Sequence, residues 1–233
     1  MPKQNNATWS SKIVRRLARG VLYLFLIVLI AIASMRWINP VTSSVIVQHN
    51  MQARAEGGSL VNQQWVNWKS VSPQLPLAVL AAEDQRFPSH YGIDFTELKN
   101  AIRQGANRGA STITQQVAKN LFLWQSRSYF RKMLEAATAL YIDLVWGKRR
   151  VLEIYMNIAY FGANIYGVEA ASQVFFNKKA SELNRYEASR LAAVLPNPQR
   201  YSAQNASAYI IDRQHWIMGQ MEQLGGTAFI KNL

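Results

Sequence analysis

The chain has 233 residues, 49% of them apolar, and carries 26 Lys and Arg against 13 Asp and Glu, a formal charge of +13. That is enough for one good core plus a short extra segment, and too apolar for a disordered chain. Cysteine is absent, which excludes disulfides, thiolate metal sites and cysteine nucleophiles, while the basic excess points to an anionic partner: nucleic acid, an anionic membrane surface or a phosphorylated substrate.

Part of the charge sits at the start. Lys3, Lys12, Arg15, Arg16, Arg19 and Arg36 lie in the first 36 residues with no acid among them, and the remainder holds 20 basic against 13 acidic residues. Gly20 to Met35 is a run of 16 uncharged residues. It is slightly short for a hydrocarbon core of about 30 Å, but Arg19 and Arg36 can snorkel and Trp37 suits the interface. The pattern predicts a basic cytoplasmic tail over 1–19, a transmembrane anchor over 20–37 and a remainder, 38–233, outside the cytoplasm by the positive-inside rule. Ala31-Ile32-Ala33 resembles a signal-peptidase site. The apolar stretch continues past it and is long for a signal peptide, so an uncleaved anchor is preferred. A buried core helix would show a polar face.

Residues 38–75 read as a connector that becomes structured, with a turn at Gly57-Gly58-Ser59. Trp65 and Trp68 are three apart, the spacing of one helix side. Leu77 to Ala82 is a short buried helix by composition. Arg127 to Trp146 carries Met133, Ala136, Ala137, Leu140 and Leu144 at a helical period, and Arg150 to Ile158 and Ser181 to Leu195 continue the helical pattern. Alternating strand patterns are scarce and no repeat appears. The fold class is mainly α, one domain beyond the anchor.

Three segments carry candidate chemistry. Glu83 and Asp84 leave the end of an apolar helix, where the helix dipole disfavours negative charge. Desolvation and a like-charged neighbour should raise one pKa, as a general base or acid requires. The plainer reading is a pair with Arg86 or a turn cap, with His90 a hydrogen-bonding scaffold. In the second segment Ser111 is placed to N-cap a helix on which Gln115 and Lys119 share a face, and a helix N-terminus beside a lysine can hold an anion. The third aligns Arg127, Arg131 and Glu135 at four-residue spacing with Lys132 beside them, a stripe suited to a pyrophosphate and its sugar. Taken singly, an ordinary capped helix and a solvated ion pair would account for the last two.

The segments gain force together. Glu83-Asp84-x-x-Phe87-x-x-His90-x-Gly92, then Gly109-x-Ser111-Thr112-Ile113-Thr114-Gln115-Gln116-x-x-Lys119-Asn120, then Arg131-Lys132-x-x-Glu135, then Leu152-Glu153-x-Tyr155-x-Asn157 with Tyr160-Phe161-Gly162, then Arg190 to Pro198 follow in one order. In motifs and spacing, residues 38–200 resemble the peptidoglycan glycosyltransferase family, and five ordered motifs make the likeness specific. The chain stops at Leu233 without a Lys-Thr-Gly motif, so it resembles the monofunctional branch, with no cross-linking activity expected.

The resemblance implies a lysozyme-like helical lobe with a smaller membrane-proximal jaw, lipid II and nascent glycan as substrates, and a place in the cell inner membrane. Cell-wall synthesis or division proteins are further candidate partners; nucleic acid is not expected. It implies that Glu83 is the general base and Glu135 a second catalytic carboxylate near the leaving diphosphate. Lys119, Arg127, Arg131 and Lys132 would hold that diphosphate. Asp84, Ser111, Thr114, Gln115 and Gln116 would bind substrate, the last four lining the donor cleft. Phe87, His90, Gly92, Gly109, Glu153, Tyr155 and Asn157 would complete the structural motifs. Whether Glu135 acts directly or through a divalent cation, Mg2+ or Mn2+, stays open, as does whether Asn120 to Trp124 meets the membrane or packs in the core. The chief rival is a lysozyme-like lytic enzyme, which has little use for a Lys/Arg stripe; a membrane-tethered scaffold with vestigial motifs is a second.

Overall fold

A computed structural model describes residues 6–103, 111–126, 128–162, 164–231 and 233, with backbone alone for 6–11. Among the described residues, ten α-helices, four short 3-10 helices and three very short strands make up the regular structure. The chain divides into two compact units, Met1–Asn39 and Pro40–Leu233.

The first unit is helix α1 (Asn6–Ser34), in which Lys12–Ser34, 23 residues, is long and apolar enough to cross a membrane. At 1.5 Å per residue these span about 34 Å, more than the uncharged run alone provides.

The second unit begins in the stretch read as a connector. Its helix α2 (Ser44–Glu56) starts on Ser43, whose hydroxyl accepts from the Ile46 amide at 3.2 Å, and stops at Gly57 in the left-handed region. Trp65 and Trp68 do not share a helix. Trp65 lies outside any regular element and Trp68 opens a short 3-10 turn, Trp68–Ser70. Each instead lies against a guanidinium, Arg150 over Trp65 at 5.6 Å and Arg149 over Trp68 at 5.4 Å.

The core is built on α3 (Gln74–Glu83), in which every residue from Leu75 to Ala81 is buried. Full burial of each of its leucines is worth about 1.5–3 kcal/mol. The helix packs against α9 (Arg185–Val194) and α10 (Ala208–Gln223). A second layer sets α5 (Ile113–Phe122) against α6 (Tyr129–Trp146) and α7 (Lys148–Ile158). Helices α4 (Phe95–Arg103) and α8 (Val168–Phe176) complete the set. Strands β1 (Asn62–Gln63), β2 (Tyr160–Gly162) and β3 (Ile165–Tyr166) form one sheet in the order β1-β3-β2, β1 parallel and β2 antiparallel to β3. Runs of two or three residues are too short to show alternation, which is why the sequence pattern does not reveal them.

Helix α6 buries an unexpected face. Glu135, Ala139, Ile142, Asp143 and Trp146 turn inward, while Tyr129, Phe130, Met133, Leu140 and Leu144 are exposed. Its apolar period is real but faces outward. Helix α4 likewise exposes Phe95, Leu98 and Ile102. At the end of α5, Leu121 and Leu123 are buried and only Trp124 is strongly exposed, so Asn120 to Trp124 packs chiefly as core.

Candidate active site

The site is assembled where α3 ends against α5. Glu83 is the last residue of α3, and its Oε2 accepts a 3.0 Å hydrogen bond from Gln116 Nε2 on α5. Gln116 Oε1 in turn accepts from the Tyr155 hydroxyl at 3.2 Å. Burial pushes the Glu83 carboxyl above its ordinary value, with neighbouring Asp84 adding to the effect; the Gln116 hydrogen bond, Arg213 and Lys119 oppose it. The Tyr155 phenol is pushed well up by burial and by the two carboxylates, so it is a neutral donor at pH 7.

Asp84 differs from its neighbour. His90 Nε2 stands 3.0 and 3.1 Å from its two oxygens, and the Ile113 amide donates to Oδ2 at 2.9 Å. Its buried carboxylate thus fastens the loop after α3 to the start of α5. His90 is buried beside it. Phe87 is fully buried with His90 edge-on at 6.0 Å and the Lys148 ammonium 4.7 Å from its centroid.

Thr112, not Ser111, caps α5. The Thr112 hydroxyl accepts from the Gln115 amide at 3.2 Å, and Gln115 Oε1 accepts from the Thr112 amide at 3.0 Å. This capping box turns Gln115 inward and leaves Gln116 and Lys119 on the open side. Thr114 is fully buried, and its hydroxyl has no hydrogen-bond partner among the described residues. Of the four residues expected to line the cleft, Ser111 and Gln116 border cavities, while Thr114 and Gln115 are held within the helix.

On α6, Glu135 is buried. Its Oε2 accepts from Arg131 Nη1 at 2.7 Å and its Oε1 from Lys132 Nζ, which also donates to the Ser111 hydroxyl at 3.1 Å. Lys119 lies within the fields of both carboxylates. Its pKa is lowered, first by burial; Glu135 opposes this, Arg131 and Lys132 reinforce it, and Glu83 opposes it. A lone exposed Arg–Glu pair would mean little. Here a buried carboxylate instead holds two cations beside a third, partly desolvated lysine, a concentration of positive charge with the chemistry to meet an anion. Among the described residues no group of three or more His, Asp or Glu side chains gathers to hold a metal ion, and the Glu135 oxygens are already engaged.

The remaining motif residues brace the site. Glu153 accepts from the Trp68 amide at 3.0 Å and from Arg150 Nη1 at 3.1 Å. Asn157, fully buried, accepts from the Val66 amide at 2.8 Å and donates to the carbonyls of Val66 and Glu153 at 2.9 and 2.8 Å. Gly92 has φ +66°, and a Cβ there would lie 2.8 Å from the Ala139 carbonyl oxygen of α6. Gly109 and Arg127 lie outside the described residues.

Two cavities border these groups. The larger, about 770 Å3, is lined by Gln116, Lys119 and Tyr155 together with Gln48, His49, Gln52, Tyr160, Asn164 and Tyr166. The smaller, about 330 Å3, is lined by Glu83, Asp84, Arg86, Asp94, Glu97 and Ser111 together with Trp216 and Gln220 of α10. The contributions of α2, the small sheet and α10 are absent from the sequence reading, because no local motif announces residues that only the tertiary fold brings to the site.

The transglycosylase family model matches residues 47–222. Curated relatives named biosynthetic peptidoglycan transglycosylase are similar over most of their length. One from Pseudomonas putida is 42% identical over 228 residues, covering 96% of this chain and 97% of the relative. One from Xanthomonas campestris is 48% identical over 206 residues, 86% of this chain and 84% of the relative. One from Salmonella agona is 50% identical over 195 residues, 81% of each. Because the matched span takes in Glu83, Lys119, Glu135, Asn157 and the helix that closes the smaller cavity, the chain belongs to the transglycosylase family and is a glycosyl-transferring enzyme.

Proposed function

We propose that this enzyme polymerises peptidoglycan, transferring the growing glycan chain from undecaprenyl diphosphate to the 4-hydroxyl of lipid II. The observation that carries this reading is the lysine, Lys119, that lies within the fields of two carboxylates of opposite character. Glu83 is raised in pKa and unpaired by any cation at hydrogen-bond range among the described residues, as a proton acceptor requires. Glu135 is pinned by two cations.

Glu83 takes the proton of the acceptor 4-hydroxyl as that oxygen bonds to the donor's anomeric carbon. The bond from that carbon to the diphosphate breaks, and its electron pair leaves on the diphosphate. Lys119, Arg131 and Lys132 stabilise that charge, so no separate acid is needed to protonate the leaving group. Glu135 orients Arg131 and Lys132, and Asp84 positions the Glu83 loop. Attack opposite the leaving group inverts an α-linked donor to a β-1,4 product, unlike the double displacement of a retaining glycosidase.

A membrane site follows from the substrate's polyprenyl tail. The helix Lys12–Ser34 is suited to anchor the chain, with the basic N-terminus cytoplasmic and the catalytic unit on the outer face of the inner membrane. The exposed apolar faces of α4 and α6 give the catalytic unit a surface suited to the bilayer.

The test supplies purified full-length protein with lipid II in detergent. The reading requires glycan polymer from the wild type and none from Glu83→Gln. Lipid II left intact while preformed glycan is cut would establish the lytic reading instead. Sequencing the N-terminus of the membrane-bound protein tests the anchor; a chain beginning at Ser34 would show cleavage.

A further inference from the structure

We propose that α10 forms a wall of the acceptor's sugar site, with the Trp216 indole as the platform on which the ring of the attacking sugar rests. This rests on the polymerase reading above and extends it to a helix that carries none of the catalytic motifs.

The two cavities bordering the site differ in charge. The larger holds Lys119 on its wall and suits the donor, whose diphosphate needs cations. Among the described residues the smaller presents the carboxylates of Glu83, Asp84, Asp94 and Glu97 with one cation, Arg86. Asp84 is held by His90 and Asp94 by Arg86, so the lining offers hydrogen-bond acceptors to the hydroxyls of the acceptor's sugar, whose own diphosphate would lie outside this cavity. Its volume of about 330 Å3 sits at the small end of ligand pockets, suited to sugar rings and not to a polyprenyl chain.

Trp216 is 44% exposed. A single exposed aromatic is ordinary on a protein surface. This one shares a cavity with the proposed base, and a flat indole face covers the C–H face of a pyranose. Gln220 lies one turn further along α10. Its Oε1 accepts from Gln85 Nε2 at 2.9 Å, which leaves its amide nitrogen to donate to a sugar hydroxyl. Arg213, three residues before Trp216, acts electrostatically on Glu83, and its Nε is buried without a hydrogen-bond partner among the described residues. One face of α10 thus serves both the base and the space beside it.

The test measures lipid II polymerisation by the full chain in detergent at varied lipid II concentration. Trp216→Ala is expected to raise KM on the order of tenfold with kcat within about twofold, Trp216→Phe to restore KM, and Trp216→Leu to fail to do so. Gln220→Ala should raise KM as well. Melting temperatures of all variants should stay close to the wild type, because the indole is only half-covered and lies on a cavity wall. Unchanged KM in Trp216→Ala, or full rescue by Leu, overturns the platform while leaving the polymerase reading intact. If Trp216→Ala does not fold, the Phe and Leu comparison decides the same point. A wild-type enzyme that makes no polymer overturns the underlying reading instead.

Discussion

The Gln116 side-chain amide donates to Glu83 at 3.0 Å while its carbonyl accepts from Tyr155 at 3.2 Å, so one glutamine orients the proposed base and is itself oriented. The hydrogen bond lowers a carboxyl pKa that burial raises. Activity should therefore fall on the acid side above pH 4.5, the ordinary value of a glutamate, as Glu83 takes up its proton. Gln116→Leu removes the donor and should move that limb to still higher pH. Tyr155→Phe, one step removed, should move it less. The kcat/KM profile against pH checks both; a limb that stays in place in Gln116→Leu would assign the titration to another group.

Glu83→Gln should separate activity from stability. Loss of a general base costs on the order of 100-fold to 10,000-fold in rate. The fold prefers the protonated carboxyl, so Glu83 favours folding below pH 4.5 and opposes it once pH rises through the raised value. A neutral amide avoids that cost, so the variant should melt higher than the wild type at pH 7 and lose the advantage in acid. Thermal unfolding at both pH values checks the sign.

Lys119 should set the alkaline limb. Its pKa lies below the usual 10.5, chiefly through burial, so it sheds its proton, and with it the proposed hold on diphosphate, earlier than a surface lysine. Arg131→Ala removes both a cation and the 2.7 Å hydrogen bond that fixes Glu135. Polymerisation should fall on the order of tenfold to 100-fold. Removing a positive neighbour that depresses Lys119 should also shift the alkaline limb to higher pH. Full activity in Arg131→Ala would remove this residue from the diphosphate site.

Much of the candidate site is legible in the chain because its motifs are local. Glu83, Lys119 and Glu135 sit on helices whose order and spacing the residues display. What stays hidden is which face each helix buries. The apolar period of α6 points outward, since its inward face carries Glu135 and Asp143 with their cations, and a hydropathy pattern cannot anticipate a charged face turned in. Thr112 displaces Ser111 as the cap because Gln115 stands three residues after it and closes the capping box. Trp216 and Gln220 reach Glu83 only through the packing of α10 on α3.

Asn157 tests the scaffold apart from the chemistry. It is fully buried on α7 and both accepts from and donates to Val66, joining the segment before the 3-10 turn to the helix. Asn157→Ala strands the Val66 amide and carbonyl away from water, and each unsatisfied buried group costs about 1–3 kcal/mol. The Glu153 carbonyl also loses a donor, but it keeps its place in the helix. Asn157→Asp retains the acceptor yet introduces a buried charge facing two carbonyls, so it should be no better tolerated. Both variants should unfold at lower denaturant concentration than the wild type. Because Asn157 touches neither Glu83 nor Lys119 by hydrogen bond, the fraction that remains folded should keep the wild-type pH profile. A changed profile at normal stability would place Asn157 in the chemistry instead of the scaffold.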